Sequence, residues 1–205
     1  MVGATQVWCT NKDDLSLSNS TDEASPFEVG FHTIKDKGIN FIAPPQQMLV
    51  AVEANKYVPS KYAVAAKAAG MKIITWTFER SGPLINGDAF YYGTSAGFTN
   101  NDGAMFELLH VLHNDVGIEG IFSDWPETTT FYANCMIRKQ NMNGCNNNLR
   151  PSFAAKLGPR PKYLVDDMVD SPLKEALHAC LADPMVLYKP HDFSIGHRGS
   201  CLQFP

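Results

Sequence analysis

The chain has 205 residues, 44% of them hydrophobic and 19% charged, with 17 Lys and Arg against 21 Asp and Glu and a formal charge of −4. That is ordinary globular composition with enough length for one or two domains, and without a Lys/Arg-rich block it argues against nucleic acid as the main partner. No apolar run approaches the ~18–20 residues of a membrane span, and none near the N-terminus reads as a signal peptide.

Three short apolar segments read as buried strands: Ile39–Ala43, Met71–Phe78 and Gly117–Ser123. Each is rich in β-branched or aromatic residues and bounded by Gly or Pro. Between the first two, Ser60 is placed to cap a helix, Tyr62, Ala65, Ala66 and Ala69 carry its buried spacing, and Gly70 stops it. Between the second and third, a helix starting near Asp102 carries Met105, Leu108, Leu109 and Leu112 at three- and four-residue intervals. Strand, helix, strand, helix, strand predicts a parallel α/β sheet or barrel. A loop of about twenty residues, Arg80 to Asn101, interrupts the pattern directly after a strand, and in an α/β barrel it emerges on the face where active sites are built.

After Ala133 the composition turns to Asn, Lys, Arg and Pro, and residues 136–161 read as a linker. Ser171 then caps a short helix with Pro172 in its first turn. The chain ends on the string Pro190–Pro205, in which Ser194-Ile195-Gly196 delivers His197, Arg198 and Gly199 side by side. An imidazole exchanges protons near neutral pH, and a guanidinium grips phosphate oxygens with parallel hydrogen bonds. That pairing suits phosphoryl chemistry, although a bare His-Arg-Gly is also a common turn. Of the five cysteines, none forms a CxxC pair, which removes zinc ribbons and thioredoxin-like motifs. Cys135 and Cys145 are spaced to close a small disulfide loop in an oxidising compartment; the other reading is free thiols. The sequon Asn19-Ser20-Thr21 suits a secreted protein.

His197-Arg198-Gly199 followed by Gln203-Phe204-Pro205 resembles the opening motif of the glycerophosphodiester phosphodiesterases. The run from Lys67 to Thr77, with Ala69-Gly70 and Trp76-Thr77, and the strand Gly117–Pro126, with Ser123-Asp124-Trp125-Pro126, resemble the other end of that family. Ile42-Ala43-Pro44-Pro45 and Trp76–Pro83 fit a subgroup of it. The resemblance implies a TIM-barrel-type fold, incomplete in this chain, with 1–135 as the C-terminal part of one module, 136–161 as the linker and 162–205 as the start of a second. Circular permutation is the competing account of this order. The implied activity is hydrolysis of small glycerophosphodiesters to glycerol 3-phosphate and an alcohol, with His197 as general acid/base and Arg198 on the phosphate. Trp76 would face the glycerol portion, and Glu79 would contact substrate or else form an ion pair.

The resemblance also implies a divalent cation, Mg²⁺ or Ca²⁺, bound through a Glu-x-Asp pair and a further Glu. No Glu-x-Asp occurs in the sequence, so no metal ligand is assigned within it, and the chain alone is not expected to be catalytically competent. Asp124 reads as a structural cap, His110 and His113 as surface residues on an outward helix face, and His178 and His191 have no identifiable partner. Two other classes remain open: a non-catalytic barrel remnant that binds a lipid head group or a protein, and a sphingomyelinase-D-like phospholipase. A secreted location is weakly favoured.

Overall fold

The computed structural model describes residues 7–8, 26–79, 90–138, 159–182 and 194–196. Its central sheet has the order β1-β2-β5-β6-β7, built from Val7–Trp8, Phe41–Ile42, Lys72–Phe78, Gly120–Ser123 and Ser194–Gly196. Every pairing in it is parallel. The three expected strands are therefore present, the first shortened at both ends and the other two at their N-terminal ends, with β5 in the middle. Parallel strands need crossovers, and here helices supply them. A separate hairpin, β3 (Val50–Glu53) and β4 (Lys56–Pro59), turns on Ala54 and Asn55, both at positive φ. Two such residues match the twist of the flanking strands.

Local chemistry explains the helices, among which α2 (Gln46–Leu49) is a single turn between β2 and β3. In α3 (Lys61–Ala68) the Ser60 hydroxyl accepts the Ala63 N–H, and the helix stops at Gly70 in the left-handed region, φ 69°. Lys35, from α1 (Pro26–Asp36), donates to the carbonyl of Ala69 at 2.7 Å, a cation at a helix C-terminus. The helix expected near Asp102 is α4 (Ala104–Val111), extended by a π-turn over Leu112–Val116 and ended by Gly117 at φ 77°. Met105, Phe106, Leu108, Leu109 and Leu112 are all buried. Each such side chain contributes about 1.5–3 kcal/mol by leaving water.

Residues 162–205 were expected to open a second module, and their described part packs on this same body. It supplies most of α6 (Pro159–Asp167), α7 (Pro172–Leu181, capped by Ser171 as expected) and β7. At the ends of the span 136–161, residues 136–138 belong to a π-turn, Ala133–Arg138, and 159–161 open α6. Pro159 occupies the first helical position, where its missing N–H costs nothing. The Asp167 carboxylate accepts the backbone N–H groups of Asp102 (2.7 Å) and Gly103 (3.3 Å), so α6 caps α4 across the sequence.

That contact is close enough to require glycine. A Cβ on Gly103 would lie 2.4 Å from the Met168 nitrogen and 2.6 Å from its Cα. Gly103→Ala is expected to push α6 off α4 and cost about 1–3 kcal/mol, as overpacking does. A urea-unfolding midpoint equal to that of the parent would refute this.

Cysteine pairing also departs from expectation. Cys135, in the π-turn after α5 (Pro126–Tyr132), is bonded to Cys180 on α7, with Cα atoms 5.9 Å apart. Both are buried, because α7 folds back on the π-turn. Cys145 lies outside the described residues. His110 and His113 are corrected too: both are half-buried, since α5 covers that side of α4. His110 Nδ1 lies 2.9 Å from the Tyr132 hydroxyl, and both rings meet the Tyr132 ring edge-on. Burial lowers both imidazole pKa values. Among the described residues no helix is long and apolar enough to cross a membrane.

Candidate functional site

Because the five strands are parallel, their C-terminal ends lie along one edge of the sheet. β2 leads there into Ala43-Pro44-Pro45, β5 into Glu79, β6 into Asp124-Trp125, and β7 ends at Gly196. Side chains and backbone knit these ends together. The Trp76 indole N–H donates to the Ala43 carbonyl at 2.7 Å, and the Thr75 hydroxyl donates to that of Pro44 at 3.0 Å. The Asp124 N–H donates to the Phe78 carbonyl at 3.1 Å, and the Trp125 N–H to the Ser123 hydroxyl at 3.0 Å.

Glu79 is the centre of this edge. It follows β5 in the left-handed region at φ 59°, a conformation that non-glycine residues adopt at an energetic cost, and such strain clusters at functional sites. Its side chain is fully buried. Arg160, the second residue of α6, donates from Nη2 (2.7 Å) and Nε (3.1 Å) to one carboxylate oxygen, Oε1. The guanidinium carbon lies 4.4 Å from the centre of the Trp125 ring, a cation–π stack, and Trp125 itself is 42% exposed. The second oxygen, Oε2, and the adjoining Thr128 hydroxyl are buried without a well-formed hydrogen bond among the described residues.

Burial pushes the Glu79 carboxyl up to about 7, and the Arg160 charge pulls it back only in part. The unfolded carboxyl ionises near its ordinary value of 4.5, so between there and about 7 the folded state holds the extra proton. Folding stability should therefore fall as pH rises through this window, by on the order of 3 kcal/mol, and stay low above it. Glu79→Gln is expected to flatten that slope and to exceed the parent in stability at pH 8. Urea titrations at pH 5 and pH 8 check this, and equal slopes in both proteins would sink it.

The structure thus places two expected site residues on one strand end but gives them unequal surroundings. Trp76 is a half-buried rim residue whose indole nitrogen is committed to backbone. Glu79 takes the ion-pair alternative. His197 and Arg198 lie outside the described residues; the strand that precedes them pairs with β6 at Phe122 and Gly196. Sequence reasoning missed Arg160 and Thr128 and gave Trp125, part of the Ser123–Pro126 motif, no role of its own. Arg160 pairs with a residue 81 positions away, and its run Pro159-Arg160-Pro161-Lys162 carries no periodic signal.

The described residues do not fit a divalent cation. No group of three His, Cys, Asp or Glu among them is placed to hold one, and the Glu79 carboxylate is taken by Arg160.

Over 107 aligned residues the chain is 49% identical to a protein of Arthroderma benhamiae described as an extracellular protein; the match covers 50% of this chain and 43% of that relative. The chain thus spans less than half of that relative's length. No family model and no solved structure matches the chain.

Proposed function

We propose that this chain belongs to a secreted phosphodiesterase of the glycerophosphodiester class, with TIM-barrel-type architecture, that releases glycerol 3-phosphate and an alcohol. One observation carries the reading. β7 lies parallel to β6 and two places from β5, so Gly196, to which His197 is bonded, ends at the same sheet edge as Trp76, Glu79, Asp124 and Trp125. The strand that leads into one motif pairs with the strand that leads into the other. In a closed barrel the first and last strands are neighbours in the same way. The secreted location rests on the name of the Arthroderma benhamiae relative and on the buried Cys135–Cys180 disulfide, a bond that persists in oxidising compartments.

In this reading His197 moves the proton at the phosphodiester oxygen, Arg198 holds a phosphate oxygen, and Trp76 walls the glycerol side. The test is glycerol 3-phosphate release from sn-glycero-3-phosphocholine by the protein isolated from its native source, with Mg²⁺ or Ca²⁺ present. Release that falls at least a hundredfold in a His197→Ala variant is the expected result. No release, or release indifferent to that substitution, would end the proposal.

A further inference from the structure

The geometry points to Arg160 as a second phosphate-binding residue of this edge, held in place by Glu79 beneath it and Trp125 beside it. The inference rests on the phosphodiesterase reading above and extends it to a residue that the resemblance does not cover. A guanidinium has five N–H donors in a fixed fork. At Arg160 the Nε and Nη2 side is spent on Glu79 Oε1, and Nη1 has no hydrogen-bond partner among the described residues. The side chain is 11% exposed, and Trp125, its stacking partner, is 42% exposed.

This is the arrangement of a preorganised anion ligand. The carboxylate fixes the plane of the fork and the indole fixes its tilt, so little rotamer entropy remains to be lost when an oxyanion docks on the free edge. Lysine could not do the same at this position. Its single ammonium, a point charge, would be drawn to the Glu79 carboxylate with no rigid second edge to present.

The experiment is calorimetric titration of the chain with sn-glycerol 3-phosphate, and with inorganic phosphate to separate recognition of phosphate from that of glycerol. Saturable binding of both is expected, weakened at least tenfold in Arg160→Lys, which keeps a cation beside Glu79 and so keeps the fold. Near-UV circular dichroism matching the parent confirms that it does. Trp125→Phe, which retains a ring under the guanidinium, should bind within about threefold of the parent, because a phenyl face also supports a cation. Parent-like affinity in Arg160→Lys, or no saturable binding by the parent, overturns the role of Arg160. Arg198→Gln separates this inference from the reading beneath it. If Arg198→Gln abolishes binding while Arg160→Lys leaves it intact, Arg160 is excluded and the phosphodiesterase reading stands. If binding depends on Arg160 alone and His197→Ala leaves hydrolysis intact, the role of Arg160 holds while the proton-transfer reading falls.

Discussion

Arg160→Met should lose about 1–2 kcal/mol more folding stability at pH 8 than at pH 5, the cost of keeping Glu79 protonated above the value of about 7 at which the parent ionises it. The reason is what stays behind. Glu79 is fully enclosed, and without the guanidinium its charge has neither water nor a counter-ion. The carboxyl would then hold its proton to a still higher pH, since Arg160 is what pulls it down against burial. The loss should therefore be largest above neutrality and shrink toward pH 5, where parent and variant both carry a neutral Glu79. Sign and window agree, because a group whose folded pKa is raised weakens the fold as pH rises through it. The double variant Glu79→Gln/Arg160→Met removes the charge and its partner together and should recover most of the loss. Urea unfolding of all four proteins at pH 5 and pH 8 forms the cycle. If the single variant lost the same amount at both pH values, the charge would not be the cause.

Removing the Cys135–Cys180 bridge is the second large effect expected. The two residues are 45 apart in sequence, and chain-entropy arithmetic for a loop of that size gives about 4 kcal/mol at 25 °C. Cys135→Ala/Cys180→Ala should lose that amount without changing Cys9, Cys145 or Cys201. Reductant should have little effect until the protein unfolds, because both sulfur atoms are buried. A free-thiol assay under native conditions and in urea separates these cases. Two additional thiols titrating in the native protein would show the bridge to be accessible or unformed.

The parts of this molecule legible from its sequence are those whose causes are local. Ser60 and Gly70 delimit α3 because a cap and a left-handed stop act within a few residues. Lys72–Phe78 reads as a strand because its apolar run is short and β-rich, and α4 shows in the spacing of Met105, Leu108 and Leu109. The β3–β4 hairpin escaped because its turn uses Ala54-Asn55 without the glycine that usually marks one. α6 escaped because two prolines in Pro159-Arg160-Pro161 read as breakers, whereas both sit in a first helical turn that needs no N–H donor there.

The site divided along the same line. Trp76 and Glu79 were accessible through a motif, but what Glu79 does depends on Arg160, and nothing near either residue announces the other. Cys135 faced a comparable choice between partners. The near one, Cys145, was favoured by spacing, and the distant one was chosen by the packing of α7 on the π-turn.

That distant bridge bears on how quickly the sheet can be assembled. β6 and β7 are adjacent, yet Gly120 and Ser194, which pair, are separated by roughly 74 residues of chain, and non-local parallel pairing of this kind folds slowly. Once Cys135 and Cys180 are joined, the shortest covalent path between the two strands drops to roughly 30 residues, and the closure penalty falls by about 0.8 kcal/mol. Oxidation ahead of sheet completion would thus speed the docking of the strand that leads into His197, and refolding from the reduced state would lag at that step.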